Sequence, residues 1–153
     1  MKSLQSYITE KLKIQKKETK KKPLLAPQSL SELKQIVRDR YKENTKHLDC
    51  TDIDVSGIEN FDGLFAFDNE LETIDLTGWD TSNVTNMNSM FWNCKKLKEV
   101  IGVENLNVSN VTTFGSLFHS CSSLEEIDIS LWNTPNCLNC GYMFDSCINL
   151  VAV

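Results

Sequence analysis

The residues in this sequence that are most able to bind a metal or react are a Cys-x-x-Cys pair and two histidines. Cys137 and Cys140 have a spacing that is found in zinc sites and in redox pairs. A structural zinc site needs four ligands, and a redox pair usually sits at a helix start near a βαβ unit; neither context is found here. His47 and His119 have no Cys or carboxylate partner at a telling spacing, so we interpret them as surface or cap residues.

Sequence motifs of catalysis are missing as well. The sequence has no G-x-S-x-G, phosphate-binding loop, dinucleotide fingerprint or paired-carboxylate motif. We therefore predict that the chain is not an enzyme and that it uses no catalytic residue, cofactor or metal.

The chain repeats itself with a period of 26 to 27 residues. The second residue of each Leu-Phe or Met-Phe pair marks this period, at Phe65, Phe91, Phe118 and Phe144. Six residues after each of these stand Leu71, Leu97, Leu124 and Leu150. Such self-similarity is the signature of a repeat architecture, in which stacked units bury a common core.

The period also accounts for most of the cysteines. One column, three residues after the Phe, contains Cys94, Cys121 and Cys147. A strand-like spacing of about 4.8 Å between units exceeds the Cβ separation of a disulfide, so we expect reduced, packed thiols. Cys137 and Cys140 fall in columns that Val, Met and Phe fill elsewhere, which predicts two buried thiols. Cys50 lies outside the pattern.

Each period combines a short strand, a turn and a helical segment. Runs such as LETIDL and LEEIDI alternate apolar residues near their ends, which predicts one strand per period. The segment before each Phe has apolar residues three, three and one positions apart, which predicts a helical turn or a short helix with one buried face. Trp79 and Trp132 occupy equivalent positions in the turns of two periods, where we expect their apolar side chains to fill the space inside the turn. The predicted fold class is α/β, a leucine-rich-repeat solenoid of about four 26–27-residue coils with an N-terminal capping helix.

One stretch carries a specific resemblance. Residues 79–100, WDTSNVTNMNSMFWNCKKLKEV, resemble the repeat of the BspA-like leucine-rich-repeat family, whose units run roughly as W-D-T-S-N-V-T-x-M-x-x-M-F-x-x-C-x-x-L. The resemblance covers about residues 53–153. Members of that family are mostly bacterial surface proteins or adhesins, which implies non-enzymatic protein binding. This chain departs from them because it has no secretion signal and only four units, so it resembles a short, unsecreted member.

A predicted capping helix, residues 29–48, precedes the solenoid, residues 49–153. Ser29 and Glu32 form a capping box at the start of SLSELKQIVRDRYKE, residues 29–43. The apolar residues of this stretch share one face, so we expect the helix to cover the open end of the first period. The alternative is a free amphipathic helix for a partner or a membrane.

Residues 1–28 form a basic head that begins with a short amphipathic segment and continues as a flexible linker. The segment has apolar residues at helical spacing, which we predict to dock on a partner: Leu4, Tyr7, Ile8 and Leu12. It resembles the targeting segments on head proteins of some large tailed phages, which a protease cuts after a hydrophobic-x-Glu sequence. Ile8-Thr9-Glu10 fits that sequence, which would imply cleavage after Glu10.

Charge is strongly segregated along the chain. Residues 1–48 carry a net charge of +8, and residues 49–153 carry −13. The residues that flank the inward apolar positions should line the exposed side of the sheet: Asp52, Asp54, Thr73, Asp75, Glu99, Glu126 and Asp128. This acidic strip either serves solubility or receives cations or a basic segment. One candidate segment is the chain's own Lys16, Lys17, Lys20, Lys21 and Lys22.

These patterns predict a non-enzymatic protein–protein interaction module that presents a repeat-built sheet surface. The alternative is a structural or head-associated component of a phage particle, docked through its N-terminal segment, with self-assembly through the basic head and the open C-terminal edge. Nucleic-acid binding through the head is disfavoured, because the head lacks interleaved aromatics and the body is acidic. No apolar run is long enough to span a membrane and no secretion signal is seen, which predicts a cytoplasmic or virion-associated protein.

Overall fold

The computed structural model describes residues 24–153. Within this range, the helix α1 spans Leu30–Tyr41, and the strands are β1 (His47–Asp49), β2 (Thr73–Asp75) and β3 (Glu99–Ile101). The strands form one parallel sheet in the order β1-β2-β3, and a 3-10 turn follows β3 at Val103–Asn105. No helix in the described part is long and apolar enough to cross a bilayer.

The predicted leucine-rich-repeat solenoid is wrong. The regular structure of residues 24–153 consists of one α-helix, an open three-stranded sheet and the short 3-10 turn, and no period contains an α-helix. The reason lies in four stretches that contain the aligned Phe residues, called the Phe segments below: 61–67, 87–93, 114–120 and 140–146. Each has two residues with positive φ, such as Ser89 at 53° and Asn93 at 62°. A left-handed residue ends an α-helix, so these segments form successive tight turns.

The predicted strands are also misplaced on either side of the sheet. β1 pairs with β2 so that Leu48 lies opposite Ile74, whereas the sequence pattern placed the first strand around Asp52 and Asp54. Ile53 makes an isolated parallel bridge with Leu25 instead. Where a fourth strand was expected, Glu126 makes only an isolated bridge with Ala152. The sheet therefore ends at β3.

Aromatic rings one period apart stack through the core. The centroid distances are 5.2, 5.2 and 5.6 Å along the row Phe65, Phe91, Phe118 and Phe144. The first three rings are fully buried, and the fourth is partly buried. Since parallel offset rings attract each other beyond simple burial, this row ties each period to the next.

Backbone hydrogen bonds between Phe segments all run in one direction. Phe65 N donates to Met90 O at 2.8 Å, and Phe91 N donates to Leu117 O at 2.9 Å. The same pattern recurs at alternate residues of each Phe segment, and every second donor, such as Ser89 and Asn93, has positive φ. Each Phe segment thus donates N–H groups to the carbonyls of the following one.

The helix α1 is capped as its sequence predicts and packs on the first period. Ser29 Oγ accepts a hydrogen bond from Glu32 N at 3.2 Å. Leu33 and Val37 are buried against the core. Lys34 Nζ donates to Asp62 O at 2.9 Å. Residues 49–62 therefore receive both apolar and polar contacts from α1.

Candidate protein-binding surface

The strand register arranges side chains beside the sheet in columns. The column of Thr73 also contains His47 and Glu99, and His47 Nδ1 lies 2.8 Å from Thr73 Oγ1. The column of Asp75 ends at Ile101, whose side chain is 40% exposed. The predicted acidic strip is therefore interrupted by neutral residues.

Asp52 and Asp54 do not belong to this surface, contrary to the prediction. Asp52 forms an ion pair with Arg40 of α1. The Asp54 carboxylate accepts the backbone N–H of Ser56 at 3.0 Å, and the hydroxyl and N–H of Ser56 lower the pKa of Asp54. Asp54 lies one period before Asp80, which accepts the N–H of Ser82 in the same way. Both carboxylates hold turns.

Asp75 is the last residue of β2, and Asp128 occupies the corresponding position two periods later. Each carboxylate accepts a hydrogen bond from the backbone two residues further along the chain. Asp75 Oδ1 accepts the N–H of Thr77, and Asp128 Oδ1 accepts that of Ser130, both at 2.9 Å. The hydroxyl of Ser130 and then its N–H lower the pKa of Asp128. Asp128 therefore stays ionised, and one of its oxygens is used within its own turn.

A ladder of alternating charges precedes the strands. Glu72 lies between two lysines one period away, with Lys98 Nζ at 2.7 Å and Lys46 Nζ at 3.1 Å. Lys98 and then Lys46 lower the pKa of Glu72 to about 2. Because these lysines neutralise the carboxylate of Glu72, this part of the sheet carries little unpaired negative charge.

Unpaired negative charge is concentrated farther along, in a groove between β3 and residues 125–128. The groove has a volume of about 570 Å³. Its charged lining residues are one lysine and five carboxylates: Lys98, Glu99, Glu104, Glu125, Glu126 and Asp128. We call this the acidic groove. Of the predicted site residues, it brings together Glu99, Glu126 and Asp128 and leaves Asp54 and Asp75 elsewhere.

Backbone pairing between periods is interrupted at the acidic groove. Lys98 N donates to Glu72 O at 2.8 Å and Val151 N donates to Glu125 O at 2.9 Å, but no backbone hydrogen bond in residues 24–153 joins β3 to residues 125–128. The third period is one residue longer than its neighbours, and the chain there forms the 3-10 turn Val103–Asn105. The acidic groove therefore combines carboxylates with an unpaired strand edge.

A family match covers this surface. Residues 59–152, more than half of the chain, match the family described as "Mycoplasma protein of unknown function, DUF285". The chain belongs to this family. No curated protein and no solved structure is significantly similar to it. The DUF285 region includes β2, β3 and the acidic groove, and it excludes α1.

A partly exposed aromatic row was missed by the sequence reasoning. In this DUF285 chain Phe67 and Trp92 have ring centroids 4.7 Å apart, and His119 lies 6.3 Å from Trp92. His119 Nδ1 is 3.1 Å from Asp145 Oδ2. The available signal was the placement of these residues just after the aligned Phe positions, on the outer side of the Phe segments.

The cysteines form no disulfide in the described residues, and three thiols form the expected column. Cys94 Sγ donates to Phe65 O at 3.1 Å, and Cys121 Sγ donates to Phe91 O at 3.1 Å. The prediction that Cys137 and Cys140 are both buried is wrong, because Cys137 is half-buried and Cys140 is exposed. Cys140 occupies a column that the following period covers elsewhere. No cluster of three or more His, Cys, Asp or Glu residues in 24–153 is arranged to hold a metal ion.

The remaining predicted site residues, Leu4, Tyr7, Ile8 and Leu12, lie outside the described residues, as do the lysines of the head. Their docking role and the cleavage after Glu10 stay predictions.

Proposed function

We propose that this DUF285 chain is a non-enzymatic protein-binding module that takes an extended, basic segment of a partner protein into the acidic groove. The observation that carries the proposal is the coincidence of five carboxylates with an interrupted strand edge. An unpaired edge accepts an added strand through main-chain hydrogen bonds, while side chains at alternate positions supply specificity.

The charge of the acidic groove selects the kind of segment that binds. Glu99 and Glu126 are both exposed. Glu99 lies on the β3 side of the groove, and Glu126 lies on the opposite side. An alternating segment would place every second side chain over these carboxylates, so lysine or arginine at those positions is attracted. The exposed Ile101 offers an apolar contact for the intervening side chains.

The probe for this proposal is a fluorescent peptide of alternating Lys and Val, with an alternating Glu and Val peptide as its charge-reversed control. We expect the Lys peptide to bind the full chain, measured by fluorescence anisotropy, and the affinity to fall as salt rises from 50 to 500 mM (both roughly chosen to span the Debye screening range). Equal binding of the two peptides, or affinity independent of salt, would contradict the proposal.

Paired variants locate the binding site. Glu99→Gln with Glu126→Gln should weaken Lys-peptide binding by about two- to thirtyfold, because each exposed ion pair contributes on the order of 0.2–1 kcal/mol. The matched control is Glu43→Gln with Glu59→Gln, which removes the same charge at exposed positions outside the acidic groove. If both double variants lose affinity equally, net charge rather than the groove drives binding and the proposal fails.

A further inference from the structure

Phe67 is a bulky aromatic residue at a position that the other periods fill with small polar residues. The corresponding residues, two positions after each aligned Phe, are Asn93, Ser120 and Ser146. All four have a left-handed backbone, with φ between 60° and 64°. A short polar side chain tolerates this conformation, whereas a bulky one is strained in it. Because Phe67 is 55% exposed, burial offsets little of that strain. Folding alone therefore gives little reason for an aromatic ring at this position.

The side chain of Phe67 lines a pocket between α1 and the first Phe segment, called the Phe67 pocket below. Its volume is about 460 Å³, which falls within the range of small-molecule sites, roughly 300–1,000 Å³. One wall is α1 from Lys34 to Tyr41, and the other is residues 63–70. Trp92 packs against Phe67 with ring centroids 4.7 Å apart and does not line the pocket. Trp92 therefore supports the ring that the pocket presents.

The polar groups of the Phe67 pocket are balanced in charge and mixed in kind. Lys34 and Arg38 stand against Asp68 and Glu70, so the lining carries no net charge. The two basic side chains donate hydrogen bonds, the two carboxylates accept them, and the amide of Asn69 does both. An ionic ligand gains little from a lining without net charge. A neutral ligand that carries both donors and acceptors matches it.

Two of these polar side chains are already held in place. Lys34 Nζ donates to Asp62 O at 2.9 Å, and Asn69 Nδ2 donates to Phe67 O at 3.2 Å. Each side chain keeps further bonding capacity, because the ammonium has other N–H groups and the amide has its carbonyl oxygen. Side chains that are fixed before binding lose less conformational entropy when a ligand arrives. The Phe67 pocket is therefore prepared for a polar ligand.

We propose that the Phe67 pocket binds a neutral pyranose sugar that stacks on the ring of Phe67. A pyranose has an apolar face of C–H groups, whose partial positive charge is attracted to the negative face of an aromatic ring. Its rim carries hydroxyl groups, and each of them both donates and accepts. An exposed ring beside mixed, charge-balanced polar groups meets both requirements. This site shares no residue with the acidic groove, so the two proposals stand or fall separately.

A proline-rich segment of a partner protein is the competing occupant, because exposed aromatic rings also accept proline. The polar lining disfavours it. Apolar proline rings would cover four charged side chains and remove their water without offering hydrogen bonds in return. A sugar replaces that water with its own hydroxyl groups.

Saturation-transfer NMR on the full chain tests the site with three probes: methyl β-glucoside, methyl β-galactoside and methyl α-mannoside. Sorbitol is the control ligand, because it carries similar hydroxyl groups on an open chain that has no ring face. We expect transfer to the ring C–H protons of at least one glycoside, with a dissociation constant on the order of mM, and none to sorbitol. Transfer to none of the three glycosides, or equal transfer to sorbitol, overturns the proposal.

Variants of the ring locate the bound sugar. Phe67→Asn introduces the residue that the next period has at this position, so the fold should be retained. We expect it to weaken glycoside binding by about two- to tenfold, whereas Phe67→Tyr keeps the ring face and should bind as the unmodified chain does. Arg38→Gln removes a donor instead of the ring and should also weaken binding. Urea unfolding checks that all three variants are folded.

Three results would overturn the proposal at this stage. Glycoside binding that is unchanged in both Phe67→Asn and Arg38→Gln places the sugar elsewhere. Binding that falls equally in Phe67→Asn and Phe67→Tyr shows that the ring does not stack on the ligand. An oligoproline peptide that displaces the glycosides and binds more tightly assigns the Phe67 pocket to a proline-rich partner.

Discussion

At the residue scale, Gly102 is required by both its conformation and its surroundings. It has a φ of 84°, and a Cβ there would lie 2.9 Å from the backbone N of Thr77. Gly102→Ala should therefore lower the free energy of unfolding by about 2–4 kcal/mol, the sum of left-handed strain and a backbone clash. Urea denaturation measures this change.

Two other glycines separate the two causes. Gly78 has a φ of 86° with open space around its Cα, so Gly78→Ala should cost only the strain, about 1–2 kcal/mol. Gly57→Ala has neither a positive φ nor a close neighbour and should change stability by less than about 0.5 kcal/mol. Equal losses for Gly102→Ala and Gly78→Ala would show that the contact with Thr77 contributes nothing.

The stacked rings give a second residue-scale prediction. Phe91 is buried between Phe65 and Phe118, so Phe91→Ala should destabilise the chain by about 3–5 kcal/mol. Phe67→Ala removes the same side chain from an exposed ring pair with Trp92 and should cost less than about 1 kcal/mol. Thermal and urea unfolding of both variants check the difference, and similar losses would contradict a buried spine.

At the element scale, the guanidinium of Arg40 adds a shielded ion pair to the apolar contacts that hold α1 on the first period. Arg40 pairs with Asp52 and donates to the carbonyl of Asp49, and both side chains of the pair are largely shielded from solvent. Arg40→Gln should therefore lower stability by about 1–3 kcal/mol, because the Asp52 carboxylate loses its partner. Arg38→Gln is the control, since Arg38 is exposed and donates a hydrogen bond to Gln35 of the same helix. Equal stability of the two variants would show that α1 does not rely on this pair.

The Phe segments show how far the sequence determines an element. The pattern correctly predicted that Val84, Met87, Met90 and Phe91 are buried and that Cys94 is a core thiol. It also allowed a short helix, which is wrong, because apolar spacings of three, three and one fit a series of tight turns with a left-handed residue at every fourth position equally well. Ser and Asn tolerate positive φ but do not require it, so their presence at 89 and 93 did not identify the turns.

The strands and the acidic groove were predicted less well. IDVS, residues 53–56, resembles IDLT, residues 74–77, and this local similarity concealed Leu48, which lies one period before Ile74. The groove depends on where the extra residue of the third period is absorbed. Strand pairing across periods decides that position, and composition alone does not reveal pairing.

At the scale of the whole molecule, buried thiols make unfolding depend on pH. Burial raises the pKa of Cys50 and of Cys94 to about 12, from an ordinary value near 9. Since the unfolded thiols lose protons first, stability is fully present below pH 9 and falls as pH rises toward 12. Each thiol should steepen the fall by up to about 1.4 kcal/mol per pH unit.

Urea unfolding between about pH 8 and pH 10 measures this slope, a range chosen to lie below most Lys titration. Cys94→Ala should reduce the slope, because the raised pKa of this buried thiol no longer couples proton loss to unfolding. An unchanged slope in Cys94→Ala would show that this thiol does not couple to folding.

The resemblance to the BspA-like family and the phage alternative stay predictions at this scale. The DUF285 match gives a family without an activity, and the phage reading rests on residues 1–23. The intact mass of the protein from its natural source tests the latter: a chain that starts at Lys11 supports processing, and a chain that retains Met1–Glu10 contradicts it.

The one-way hydrogen bonds give the row of Phe segments an electrical polarity of its own, whereas bonds beside the sheet, such as Lys98 N to Glu72 O, run the other way. Aligned peptide dipoles add as they do in an α-helix, with a partial negative pole at the carbonyls near Asp62 and a partial positive pole at the N–H groups of residues 140–146. The ammonium group of Lys34 sits at the negative pole. The carbonyls at the first Phe segment therefore attract a cation for the same reason that the carbonyl end of an α-helix does.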